Sequence, residues 1–280
     1  MPKFWSLVEH SSYGSPAQQV QAFREVFIVQ DTNLFGERGL GFRSDAGLDA
    51  AILRSTADAR THPSTIRSAE ELLENMLPSE LKRFKTAFPD FRCDFPIYIM
   101  PSLGQLDGAG RVVDRRPALL FGVDVIAEGT PALRILIDHE LFHRYHYQVA
   151  KFNDDNAERE VMWKTLWAEG QATYVSMVLN TPASMQDALY LPKDLVERAK
   201  PMLSQLISEL GPKLDQVDPG FFSRYFKYHG ANATPPSRDG YYIGALAAQR
   251  MGQRYFLFQL AHLHASAVRP SLQKVIAEIK

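Results

Sequence analysis

The sequence holds a single cysteine, Cys93, in 280 residues. An internal disulfide is therefore excluded. No apolar run reaches the roughly 20 residues that a membrane-spanning helix needs. Neither sign of charge is in excess: 31 Lys and Arg stand against 32 Asp and Glu, a formal net charge of −1. That balance offers no phosphate-binding surface, so nucleic acid is not an expected partner. Met1-Pro2-Lys3-Phe4-Trp5 is not followed by a signal-peptide core. As written, the chain is expected in the cytoplasm; with a leader ahead of it, it would be periplasmic or secreted. Repeats and low-complexity segments are absent. What is present is 45% hydrophobic residues. That is enough for a large core, in one elaborated domain or two lobes.

The pattern along the chain predicts an α+β fold that is mostly helical. Residues 15–30 and 64–88 read as helices. Ser64, Ser68 and Ser79 suit helix starts, and Pro78 is expected to divide the second stretch. Residues 95–100 and 118–126 are β-like. The glycine-rich segment 104–110 between them lacks a Gly-Lys-Ser/Thr ending, so it reads as a turn and not a phosphate loop. Pro131 suits the first turn of a helix after Gly129-Thr130. Residues 194–210, 241–258 and 271–279 are also expected to be helical, with a loop over 230–240. The regions expected are a helical 1–90, a core at 91–180 with a small sheet beside a buried helix, and a helical 181–280, or all three as one domain. If strand 118–126 were a sheet edge, it could align an extended peptide through main-chain hydrogen bonds.

The most informative stretch is His139-Glu140-Leu141-Phe142-His143. It reads HExxH inside an apolar run from Leu133 to Val149. On a helix, residues i and i+4 share a face, so both imidazoles can reach one metal ion. Glu140 lies beside them, placed to take a proton from a metal-activated water. Zinc suits this donor set, because imidazole and carboxylate are good ligands for it and it accepts an open tetrahedral site. With eight histidines, a chance HExxH is expected in roughly one such chain in a hundred. The apolar neighbours Ile135, Leu136, Ile137, Leu141 and Phe142 predict burial, where three unpartnered polar groups would be costly.

A catalytic zinc takes three protein ligands. Glu169 is the best third candidate. It is expected to open a helical run over 168–179, flanked by Ala168, Gly170 and Ala172. Small residues there would let a carboxylate reach a metal on a neighbouring helix. A helix-start Glu held only by the macrodipole is the plain alternative. His146 reads as a surface residue or a neighbour of the ligands. Asp154, Asp155, Glu158 and Glu160 read as a solvated turn and helix start. Cys93 reads as a small buried hydrophobe. His262 and His264 point apart on a helix and read as structural.

HExxH followed by a Glu ligand on a later helix resembles the gluzincin metallopeptidases. A longer match is to an uncharacterised bacterial family of predicted zinc-dependent proteases. The chain resembles that family at the HExxH helix, at the E-G-x-A-x-Y block from Glu169 to Tyr174, and at Gly240-Tyr241-Tyr242-Ile243-Gly244. These blocks span about half the chain. The resemblance implies a zincin-like core, a zinc cofactor, and hydrolysis of amide bonds in a peptide or protein substrate. Glu140 would then be the general base. Tyr241 or Tyr242 would donate to the oxyanion, with His229, Arg238 and Tyr174 as weaker candidates. Two rivals remain open at this point: a non-catalytic peptide-binding scaffold, and a zinc hydrolase of small amides.

Overall fold

The computed structural model describes residues 1–10, 14–28, 32–37, 39–129, 133–150, 152 and 159–279. In chain order the helices before the sheet are α1 (Pro2–His10), α2 (Pro16–Phe23), α3 (Thr32–Phe35), α4 (Asp45–Thr61) and α5 (Pro63–Ala87). The strands are β1 (Ile97–Met100), β2 (Gly108–Val113) and β3 (Arg116–Gly122). Then come α6 (Val123–Ala127), α7 (Leu133–Ala150), α8 (Met162–Leu179), α9 (Met185–Leu189), α10 (Leu195–Ala199), α11 (Leu203–Leu210), α12 (Pro219–Phe226), α13 (Asp239–Gly252), α14 (Leu257–Ala261) and α15 (Ala265–Glu278). The fold is α+β, mostly helical, with one small mixed sheet.

Two compact units divide the chain. One is Met1–Ser79 with Cys93–Thr130; the other is Glu80–Arg92 with Pro131–Lys280. The sheet belongs to the first, and the HExxH and E-G-x-A-x-Y segments both belong to the second.

In the first unit, local chemistry sets the helix starts. Ser15 caps α2 with a full capping box through Gln18, and Pro16 sits where its missing N–H costs nothing. Ser44 caps α4 by accepting from the Gly47 amide. Helix α5 runs unbroken through Pro78, against the expected division. Pro78 is exposed, so the carbonyl it leaves without a partner can face water. The sheet order is β1-β3-β2, with β1 parallel and β2 antiparallel to β3. Strand β3 is therefore central. Its main-chain groups are taken on both sides, and it is not an edge that a peptide could extend. It also ends at Gly122, where α6 begins, and not at residue 126. A Cβ on Gly122 would stand 2.1 Å from the Leu106 carbonyl oxygen, so only glycine fits there.

The glycine-rich segment is only partly a turn, because Gly108–Gly110 belongs to β2. The Asp124 carboxylate ties down the rest, accepting from the Ser102 and Gly104 amides at 2.7 and 2.8 Å. Strands β2 and β3 form a two-residue hairpin, with Asp114 and Arg115 both in the left-handed region at φ 50° and 64°. That is the turn hand such hairpins need, usually supplied by Asn-Gly.

In the second unit, α8 packs along α13 and along α7. Trp163, Leu166, Trp167, Tyr242, Ile243 and Met251 are buried in this core. Three helix boundaries differ from expectation. The 194–210 stretch breaks into a 3₁₀ turn at Lys200–Met202, where Pro201 removes a donor. Helix α13 begins at Asp239 and ends at Gly252, short of residue 258, and α15 begins at Ala265, ahead of residue 271. Thr130 and Pro131, named as a helix start, lie outside the described residues, as do Asp154, Asp155 and Glu158.

Candidate metal centre

Helix α7 is buried on nearly every face from Leu133 to His146. His139 and His143 sit one turn apart on it, with their Nε2 atoms 3.0 Å from each other. The Glu169 Oε2 atom stands 3.4 Å from His139 Nε2 and 3.3 Å from His143 Nε2. Three donor atoms from two helices thus converge on one point. Around a tetrahedral zinc, donors about 2.0–2.2 Å from the ion lie roughly 3.3–3.6 Å from one another. The observed triangle is close to that spacing. Hydrogen bonds alone serve it poorly, since two imidazole nitrogens and a carboxylate share too few protons. A divalent cation satisfies all three lone pairs. Among the described residues no other group of His, Cys, Asp and Glu has such spacing.

The protonation states suit a cation. Burial holds the His139 imidazole below its ordinary value, and His143 and Arg238 add to this, while Glu169 opposes it. A neutral imidazole keeps its lone pair for a metal. Burial alone would push the Glu169 carboxyl up, yet His143 and His139 beside it hold it well below the usual carboxylate range. The site is not sealed: the His139 and Glu169 side chains keep 14% and 17% of their exposure.

Glu169 does not open its helix. It is the eighth residue of α8, two turns in, so the macrodipole does not account for it. Its small neighbour also serves a different contact from the one expected. A Cβ on Gly170 would lie 2.1 Å from the Gly244 carbonyl carbon, so Gly170 admits α13. A Cβ on Gly244 would lie 2.3 Å from the Leu166 carbonyl oxygen. The glycines of the E-G-x-A-x-Y and G-Y-Y-I-G blocks are thus two halves of one helix crossing.

That crossing carries Tyr241 to the metal helix. Its ring lies 6.5 Å from the His139 ring between centroids. Burial raises the Tyr241 hydroxyl pKa, Glu169 and Glu140 raise it further, and Arg238 opposes them. The phenol stays protonated and can donate. Glu140 is buried on α7. Arg238 lies over the Tyr241 ring, its Cζ 4.3 Å from the centroid. The other aromatic candidates lie elsewhere. Tyr242 is 5% exposed and packs in the α8–α13 core. The Tyr174 hydroxyl lies against Gly252, at the opposite end of α13 from Tyr241. The His229 Nε2 is 2.8 Å from the Ser223 carbonyl oxygen.

Other sequence-level candidates also find their places. His146 is not on the surface; it is 2% exposed and stacked between Phe142 and Phe152. Cys93 is exposed, not a buried hydrophobe. His262 Nε2 meets Asp90 at 3.0 Å.

Two supports had no sequence signal that named them. Asp138, next to His139 and fully buried, accepts from Arg83 of α5 and from Asn180 Nδ2 at 2.6 Å. Arg83 also donates to the Leu179 carbonyl at 2.9 Å and to Glu80 at 2.6 Å. This network ties the start of α7 to the end of α8, the two helices that bear the donors. Burial pushes the Asp138 carboxyl up to about 6, although Arg83 and Asn180 oppose it. Arg224 clamps Asp239 at 3.1 and 2.8 Å, which fixes the start of α13 two residues before Tyr241. Comparison of the chain with models of known protein families, with curated proteins and with solved structures finds no match.

Proposed function

We propose that this protein is a zinc-dependent metallopeptidase of the gluzincin type with a zincin-like core. The observation that carries this reading is the convergence of His139 Nε2, His143 Nε2 and Glu169 Oε2 with mutual separations of 3.0–3.4 Å. Zinc, when bound, supplies a Lewis acid that polarises a carbonyl and acidifies water. Glu140 follows His139 directly on α7 and accepts the proton of the attacking water. Tyr241, kept protonated by burial and by Glu169 and Glu140, donates to the oxygen that gains negative charge. The mostly buried residues of α7 and α8 around the reacting groups lower the local dielectric, which strengthens both interactions. The substrate class is a peptide or protein, as the resemblance to the bacterial protease family implies.

The test is metal analysis of protein purified without chelator, joined to an assay of Glu140→Gln. One zinc per chain is expected, retained in Glu140→Gln, with peptide hydrolysis reduced by about two to four decades. Absence of metal sinks the site. Loss of metal in Glu140→Gln makes Glu140 a ligand and removes its role as base. Metal retained with peptide binding unchanged and no hydrolysis in either protein favours a non-catalytic scaffold.

A further inference from the structure

We propose that Arg238 forms an anion subsite beside the metal centre and selects substrates that carry a carboxylate near the scissile amide. This rests on the peptidase reading for the word substrate, but not for the site itself.

Three observations carry it. First, Arg238 is placed at the metal centre. Its guanidinium stacks over Tyr241, and that ring in turn lies 6.5 Å from the His139 ring and 5.5 Å from the Phe226 ring between centroids. Second, its backbone is unusual. Arg238 has φ 62° and ψ 22°, the left-handed region, directly before α13. A non-glycine residue adopts this at a cost, and such residues concentrate at functional sites. Both flanks hold it there. On one side the buried Ser237 hydroxyl donates to the Gly230 carbonyl at 3.0 Å and accepts from the His229 amide at 2.9 Å. On the other side Asp239 is gripped by Arg224. Arg238 is thus fixed in place before any ligand arrives. Third, its charge is not matched. Two other half-buried arginines of this unit are held by carboxylates: Arg83 by Asp138 and Glu80, and Arg224 by Asp239. Among the described residues Arg238 makes no ion pair, and its partners are the face of the Tyr241 ring and the hydroxyl of that same residue.

A guanidinium has five N–H donors, so one that stacks on a ring and donates to the same phenol keeps the rest of its fork for an incoming group. The group that matches this fork with two parallel hydrogen bonds is a carboxylate. A peptide has two sources of one, its C-terminus and an acidic side chain. An arginine whose only task was to pack on Tyr241 would show no preference between charged and neutral ligands.

The test is calorimetric titration of the full chain carrying Glu140→Gln, which slows turnover by about two to four decades. The probes are three peptides: N-acetyl tetra-alanine as the free acid, the same peptide as its C-terminal amide, and an amidated version with one alanine replaced by glutamate. At least one carboxylate peptide is expected to bind about tenfold to a hundredfold more tightly than the plain amide, the scale of a charge-assisted contact. Whichever of the two it is identifies the source. Adding Arg238→Gln should erase the difference between the carboxylate peptides and the plain amide, and that difference is the readout. Arg238→Lys should restore part of it. The thermal midpoint of each variant checks that it is folded. Equal affinity for all three peptides, no binding of any, or a preference that survives Arg238→Gln overturns the subsite. Wild-type protein that prefers the carboxylate peptide yet cleaves none when loaded with zinc overturns the reaction instead, and the subsite stands.

Discussion

Gly170 and Gly244 meet backbone to backbone. A Cβ on Gly170 would fall 2.1 Å from the Gly244 carbonyl carbon and 2.4 Å from its Cα. No flexible side chain stands there to give way, so the two helices can lie this close only without side chains at the crossing. One residue before Gly170 is the carboxylate donor Glu169. Three residues before Gly244 is Tyr241. The crossing therefore sets the spacing between a ligand and the phenol beside it.

Gly170→Ala is accordingly expected to push α13 away from α8. It should cost about 1–3 kcal/mol of stability, as overpacking commonly does, and should lower turnover and zinc affinity together. Gly211→Ala is the control, because nothing lies within 4 Å of its added carbon. Denaturant unfolding and metal titration measure the two effects. An alanine at 170 that unfolds like wild type would show that the helices are not held this close.

Glu169 is expected to contribute to metal binding and not to proton transfer. Zinc binding only to the folded state raises the unfolding midpoint in proportion to its affinity. Wild type should show that rise, and Glu169→Ala should show little of it. A variant with full zinc affinity would remove Glu169 from the donor set.

The two adjacent tyrosines should separate in assay. Tyr241→Phe removes the hydroxyl of the ring that lies 6.5 Å from the His139 ring and should reduce kcat while zinc content and folding persist. Tyr242 packs in the core among Leu166, Ile243 and Met251. Tyr242→Phe should leave kcat near wild type. The reverse result would place the donor on Tyr242.

Acid should weaken the fold through His146. Burial holds this imidazole down to about 3, with the His143 and His262 charges acting in the same direction. The unfolded chain takes up the proton from about 6.5 downward, and the folded chain does not. The stability due to a neutral His146 is thus present above pH 6.5 and is lost as pH falls from 6.5 toward 3. The loss approaches roughly 1.4 kcal/mol per pH unit. His146→Phe retains the stacking between Phe142 and Phe152 and cannot titrate. The stability difference between variant and wild type, at fixed metal content, should grow in favour of the variant as pH drops from 6.5 to 4. A difference that stays flat across that range would mean that His146 is protonated in the folded state.

The spacing of His139 and His143 was legible because it is local: four residues on a helix share a face whatever surrounds them. The apolar residues around them announced burial for the same reason. Strand existence at residues 97–100 and 118–122 was also legible. The hairpin of β2 was not, because Asp114-Arg115 makes a left-handed turn without the Asn or Gly that marks one. Pro78 misled, since an exposed proline breaks one hydrogen bond that water can replace.

What the sequence determined by itself is a buried helix with two imidazoles and a glutamate on it, and a second segment with a carboxylate between small residues. Tertiary structure decided that Glu169 Oε2 comes within 3.4 Å of both imidazoles. It also decided that Tyr241 turns to the donors while Tyr242 turns to the core, and that Gly170 faces Gly244. Each of these depends on how far apart and at what rotation two helices pack. That is set by contacts between residues more than 20 positions apart in the chain, such as Arg83 with Asp138 or Gly170 with Gly244. Local periodicity tells which face of a helix is apolar, but not which neighbour that face meets.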